Sequence, residues 1–166
     1  MARPKLMKIS EARQSFFIED EGAPDGFVKE RWRGAVVDRD AYGLHAMPRI
    51  LWEALREASG DEPWWICGYV SVGEPEANPI SFGLDWNSFP AVFDRMGYSP
   101  EWVAYNESQT IAFLVEFDVT IVGASQARAD DVDRILEASG TSLRQLTHAD
   151  FADPGRLEGF LKAVTK

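Results

Sequence analysis

The segment with the clearest chemical potential is 38–45, where Asp38, Asp40 and His45 lie within eight residues. Two carboxylates and an imidazole are ligands that a hard or borderline cation accepts, so this spacing is compatible with a metal-dependent enzyme. The same residues are typical of a polar turn after a strand, because aspartate side chains accept hydrogen bonds from nearby backbone N–H groups. The turn is the favoured interpretation, so we predict no metal and no other cofactor, and keep the enzyme as an alternative.

A second candidate for acid–base chemistry is the pair Glu116 and Asp118. Their spacing places both side chains on one face of a strand, where two carboxylates can perturb each other. A solvated strand face explains the pair more simply. The sequence also lacks a glycine-rich phosphate loop, a GxSxG motif and an HExxH motif. The single cysteine, Cys67, lies in the apolar run 64–70, which indicates a buried, unreactive thiol. We therefore predict no catalytic residues.

The charge of the chain is distributed unevenly along the sequence. Residues 61–133 contain thirteen acidic residues and two basic ones, whereas residues 1–60 contain ten of each. The same acidic stretch is rich in tryptophan, phenylalanine and tyrosine. Carboxylates steer a basic partner towards a surface and aromatic side chains anchor it, so this composition favours protein binding. A merely soluble acidic surface is the simpler alternative.

Length and total charge limit the class of protein further. A chain of 166 residues fits one domain, and a net charge of −10 disfavours nucleic acid and anionic membranes as partners. No segment has the length and apolarity of a signal peptide or a membrane span. The expected location is therefore the cytoplasm.

Hydrophobic periodicity predicts a single α+β domain over 1–166, with helices packed against an antiparallel sheet and with 1–30 as a segment that could be loosely attached. Helical spacing begins at Pro48 and Ser88, and again near Asp130 or Asp131, with two shorter helices after Gly140. Strand patterns cover 64–72, 101–106 and 110–123, the last two as a hairpin. In 110–123 the strict alternation predicts one buried face and one face that is open to solvent.

The candidate contact surface combines acids of the middle stretch with one tryptophan. Trp86 lies in a polar, loop-like segment, where an indole either covers the core or anchors a partner. The predicted partner-binding residues are Glu74, Glu76, Asp85, Trp86, Glu107, Glu116 and Asp118.

Residues 101–108, 111–113 and 117–121 resemble a hairpin of small acidic bacterial immunity proteins, which neutralise toxins. In both, an aromatic-rich strand leads through a turn to a strand that bears aspartate before β-branched residues. The resemblance implies stoichiometric binding of a cognate toxin without catalysis. We therefore predict a cytoplasmic inhibitor of the immunity type that occludes a basic toxin or effector. A scaffold or oligomer subunit is a further alternative.

Overall fold

The fold is built around antiparallel strands. The computed structural model describes residues 5–20, 23–69, 76–116 and 118–150. The strands of this part of the chain are β1 (Phe17–Asp20), β2 (Ala23–Phe27), β3 (Arg33–Asp38), β4 (Trp64–Gly68), β5 (Ile80–Phe82), β6 (Trp102–Asn106), β7 (Ile111–Val115) and β8 (Val119–Ala124). β1 and β2 form a hairpin, and the others form one sheet in the order β3-β8-β7-β6-β4-β5, with every neighbouring pair antiparallel.

The helices of the described residues are α1 (Ile9–Phe16), α2 (Arg49–Ser59), α3 (Phe89–Arg95), α4 (Gln126–Glu137) and α5 (Leu143–Asp150), with a 3₁₀ helix at Asp40–His45. These helices and the antiparallel sheets confirm the predicted α+β class. The predicted start of α4 at Asp130 or Asp131 is wrong. The Ser125 side chain accepts a hydrogen bond from the Arg128 N–H, so it caps the helix several residues earlier.

Both faces of the six-stranded sheet are covered, which differs from the prediction of one solvated face. On one face, β7 and β8 contribute Phe113 and Val122 to a core that they share with Trp52 of α2. On the other face, Leu114 and Ile121 pack in a second cluster with α1 and the β1–β2 hairpin. Every residue of β7 and β8 is buried, because each face has its own covering layer.

The segment 110–123 is a hairpin of two strands, and the prediction of one continuous strand is wrong. β7 ends at Val115 and β8 begins at Val119, and the Glu116 N–H donates to the Val119 carbonyl at 2.9 Å. Glu116 and Asp118 therefore belong to a turn and not to a shared strand face. Apolar and polar residues continue to alternate through the turn, so the periodicity of the sequence does not reveal that the chain reverses direction there.

The N-terminal residues 5–20 pack against the sheet, so this part of 1–30 is not loosely attached. The Met7 N–H donates to the Tyr105 hydroxyl at 2.9 Å, and the Phe16 ring stacks on Trp32 at 5.7 Å between centroids. Ile9, Ala12 and Phe16 are the buried residues of α1. Their burial provides the covering layer that the second face of the sheet requires.

Helix α5 covers the edge strand β3. The Thr147 hydroxyl accepts from the Val36 N–H at 3.0 Å, and the Asp150 carboxylate accepts from the Asp38 N–H at 3.0 Å. These side chains satisfy donors that an edge strand otherwise presents to other chains. The final helix predicted from Asp153 lies outside the described residues, and none of the described helices is long and apolar enough to cross a membrane.

The Thr147→Val substitution should lower the free energy of unfolding by about 1–2 kcal/mol, because it leaves the buried N–H of Val36 without an acceptor at almost unchanged volume. Urea denaturation followed by circular dichroism measures the loss. The Thr141→Val control alters a half-buried threonine in the α4–α5 connection and should change stability by about 0.5 kcal/mol or less. Equal losses in the two variants would contradict the proposed role of the Thr147 hydroxyl.

Candidate functional site

The predicted contact residues are divided between the two ends of the large sheet. The β6–β7 turn contains Glu107, and the β7–β8 turn contains Glu116 and Asp118. These turns lie at opposite ends of the five-residue strand β7, roughly 17 Å apart. Glu74 lies outside the described residues. The six described residues therefore do not converge on one surface.

At the end of the sheet that carries the β7–β8 turn, Arg13 of α1 binds three carboxylates. Its Nη2 lies 2.6 Å from Glu116, its Nη1 lies 3.1 Å from Glu101, and its Nε lies 2.6 Å from Glu19. The Arg13 side chain is only 12% exposed and that of Glu116 only 15%. Glu116 is thus an internal ion-pair partner that anchors α1 to the sheet, and it is not available to an external protein.

Burial and the neighbouring opposite charges have opposite effects on the pKa values in this ion cluster. Burial raises the pKa of Glu116, and Arg13 offsets only part of that effect. For Arg13 itself, burial alone would lower the pKa, but the neighbouring Glu19 and Glu116 carboxylates raise it overall. A second arginine, Arg39, donates to the Glu116 carbonyl at 2.6 Å and so fixes the turn. The cluster is therefore a structural clamp between sequence-distant segments.

Glu76 has an internal partner as well. Asp118 is exposed, and its carbonyl oxygen accepts from the Arg39 N–H at 3.2 Å. The Glu76 carboxylate accepts from the Ser10 N–H at 2.5 Å, and hydrogen bonds with the side chain and the backbone of Ser10 lower the pKa of Glu76. Because Ser10 lies in the first turn of α1, the carboxylate also interacts with the positive end of that helix. Glu76 thus adds to the attachment of the N-terminal layer.

At the opposite end of the sheet, an open cleft of about 250 Å³ is lined by Asp61, Glu62 and Asp85. Arg56 is the one cationic side chain among the described residues that line it. Glu107 lies beside this cleft, because its N–H donates to the Pro63 carbonyl at 2.9 Å. Acidic residues from three separate loops therefore meet at this end, and we name the site lined by Asp61, Glu62 and Asp85 the acidic cleft.

Hydrogen bonds fix the walls of the acidic cleft. The Glu62 carboxylate accepts from the Ser108 N–H and from Asn106 Nδ2, the latter at 3.1 Å, and it lies 3.3 Å from the guanidinium of Arg128. The Asp85 carboxylate accepts from the Ser88 hydroxyl at 2.6 Å, which lowers the pKa of Asp85. Glu62 is thus a rigid, partly neutralised wall, whereas Asp85 remains exposed at the mouth of the cleft.

Trp86 covers the core next to the acidic cleft. Its ring stacks on His45 with centroids 3.5 Å apart and planes 8° apart, and it meets Trp52 edge to face at 6.1 Å. His45 Nε2 lies 2.7 Å from the Trp86 carbonyl oxygen, so the two residues also share a hydrogen bond. Of the two roles that the sequence allows for this indole, its packing corresponds to the cover over the core.

The segment 38–45 begins with the polar turn at Asp38 that the sequence favours, and it continues as the 3₁₀ helix Asp40–His45. The Asp38 carboxylate accepts from the Asp40 N–H at 3.0 Å, and His45 contacts Trp86 instead of either aspartate. Within the described ranges, no group of three histidine, cysteine, aspartate or glutamate side chains is arranged to hold a metal ion. Cys67 is buried, and burial raises the pKa of its thiol to about 12.

Asp61 and Glu62 are not among the contact residues that the sequence predicts. A local signal exists, because two acids follow Gly60, whose φ of 62° ends α2 and turns the chain. The role of Arg13 has no such signal, since Glu101 and Glu116 are 88 and 103 residues away.

Comparisons of this chain with protein-family models, with curated proteins and with solved structures give no match.

Proposed function

We propose that this chain is a non-catalytic binding protein of the immunity type, which holds a basic protein partner at the acidic cleft. The observation that carries the proposal is the meeting of Asp61, Glu62 and Asp85 around one open cleft. A toxin that acts on nucleic acid needs basic side chains near its active site to hold phosphate. A carboxylate-lined cleft complements such a surface and can occlude it.

The proposed contact surface is smaller than the sequence predicts. It retains Asp85 and Glu107 and adds Asp61, whereas Glu76 and Glu116 are bound within the protein. Exposed Asp85 is suited to accelerate association, because charges at a rim act mainly on the association rate. The Glu62 side chain is only 14% exposed and is bound to Asn106 and Arg128, so it adds negative charge to the wall of the cleft without a direct contact to the partner.

The decisive experiment uses the double variant Asp61→Asn/Asp85→Asn as bait beside the wild-type chain in the native cell extract. We expect the captured partner to be a basic protein that binds the double variant about tenfold more weakly at low salt, because two steering charges are lost. Surface plasmon resonance at several salt concentrations measures the affinity and the association rate.

The matched control is Asp131→Asn/Glu137→Gln, which removes the same charge from α4, away from the acidic cleft. This control should retain the partner at nearly wild-type affinity. A partner that binds both double variants equally, or whose affinity is independent of salt, would contradict the proposal.

A further inference from the structure

A second cleft, of about 630 Å³, lies between the β2–β3 connection and the start of α4. Its apolar walls include Phe27 and Trp32, and Gln126 in the first turn of α4 lines it from the other side. A volume of this size is in the range of clefts that hold small organic ligands. Its lining residues are different from those of the acidic cleft.

The charge of this cleft is opposite to that of the protein as a whole. Lys29, Arg31 and Arg33 line it, against Glu30 and Asp130, in a chain with a net charge of −10. Arg33 is already paired with Asp130 at 2.5 Å. Lys29 and Arg31 are therefore the cations that a ligand can use, and the positive end of α4 adds to their attraction for an anion.

Lys29 is held in place as a partly desolvated cation. Its Nζ donates to the Gln109 carbonyl at 2.7 Å and lies 5.1 Å and 5.2 Å from the ring centroids of Phe16 and Trp32. Burial lowers the pKa of this ammonium group. An ammonium that has lost part of its hydration interacts more strongly with an incoming anion than a fully solvated one does.

Arg31 combines an unfavourable backbone with a side chain that has no partner among the described residues. Its φ is 63°, a conformation that favours glycine, yet the residue is arginine. The side chain is exposed and makes no hydrogen bond or ion pair with any residue in the described part of the chain. Backbone strain of this kind is found at ligand clamps, where the side chain has a function outside the fold.

We propose that this cleft binds a small organic anion with a planar apolar body, the chemical class of a mononucleotide or an aromatic carboxylate. The anionic group meets Arg31 and Lys29, and the planar body lies against Phe27 and Trp32. This site is distinct from the acidic cleft, because the two clefts share no lining residue.

The test titrates the full chain with adenosine monophosphate and with 2-naphthoate by isothermal calorimetry, and with adenosine and inorganic phosphate as half-ligands. At least one planar anion should bind with a dissociation constant of about 0.1 mM or tighter. Each half-ligand should bind at least about tenfold more weakly than the planar anion, since it lacks either the charge or the planar body. In ¹H–¹⁵N spectra, shifts should concentrate at 27–33 and 126–130. Absence of saturation by both planar anions up to about 10 mM would overturn the proposal.

Two substitutions separate binding from stability. Arg31→Gln should weaken binding of the planar anion about tenfold, while Arg144→Gln, at an exposed position of α5, should not change its affinity. Arg31→Gly should weaken binding equally and also raise the melting temperature by about 2 °C, because glycine relieves the left-handed backbone. Unchanged affinity in either Arg31 variant would overturn the assignment, as would equal losses in the Arg144 control.

Discussion

Replacing Gly34 by alanine is expected to lower the free energy of unfolding by about 4 kcal/mol or more. A Cβ atom at this position would lie 1.7 Å from the Val122 carbonyl oxygen and 3.0 Å from the Gly123 Cα atom. Both atoms belong to the backbone of β8, which pairs with β3 at this point, so neither can move aside without opening the ladder. The loss would be a large part of the stability of a typical domain.

Two further glycine variants allow the loss of stability in Gly34→Ala to be compared with smaller expected losses. Gly123→Ala should cost less, because its Cβ would meet the ring of Phe27 at 2.2 Å, and a side chain can rotate where a backbone cannot. Gly83→Ala should be tolerated, since no atom lies within 4 Å of its added Cβ. Urea denaturation and the yield of folded protein measure the series. If Gly34→Ala were as stable as Gly83→Ala, this result would contradict the close approach of β3 and β8.

Replacing Arg13 by methionine is expected to lower the free energy of unfolding by about 3 kcal/mol at neutral pH. The substitution keeps much of the apolar stem but leaves the carboxylates of Glu101 and Glu116, which are 22% and 15% exposed, without their cation. The Arg134→Met control removes an exposed surface pair with Asp131 and should cost about 0.5 kcal/mol or less. Chemical denaturation measures both losses.

The loss in Arg13→Met should depend on pH in a defined direction. The pKa of Glu116 is raised in the folded protein, chiefly by burial, and removing Arg13 raises it further. The stability that protonated Glu116 contributes is fully present below its ordinary pKa and is lost as the pH rises through the folded pKa. The difference between wild type and variant should therefore be largest at neutral pH and shrink in mild acid.

A double variant tests whether the unpaired carboxylate causes the loss of stability in Arg13→Met. Arg13→Met/Glu116→Gln should recover part of the stability at neutral pH, because the neutral amide avoids an unpaired buried charge. If Arg13→Met were equally destabilised at all pH values, and Glu116→Gln gave no recovery, the contribution of Arg13 would lie in its packing and not in the ion cluster.

Elements with local sequence signals are predictable from the sequence. Helix α2 follows Pro48, buries residues at helical spacing and ends before Gly60, as its pattern predicts. The β6–β7 hairpin likewise follows from two apolar strands around a polar turn. The turn at Asp38 is also predictable, because the aspartate side chain accepts from the N–H of Asp40, only two residues away. Such features depend on neighbours in the chain, which the sequence displays directly.

Which carboxylates remain available to a partner depends on contacts between segments that are distant in the sequence. Burial of both sheet faces required α1 as a covering layer, and this placed Arg13 against Glu101 and Glu116. The count of acids in 61–133 does not contain this pairing, because the cation comes from a part of the chain with balanced charge. The acidic cleft also depends on the fold, because β4 and β5 are neighbours in the sheet and this brings Asp61, before β4, close to Asp85, after β5. The interaction energy of two charges depends on their distance in space, whereas the periodicity of the sequence gives only their separation along the chain.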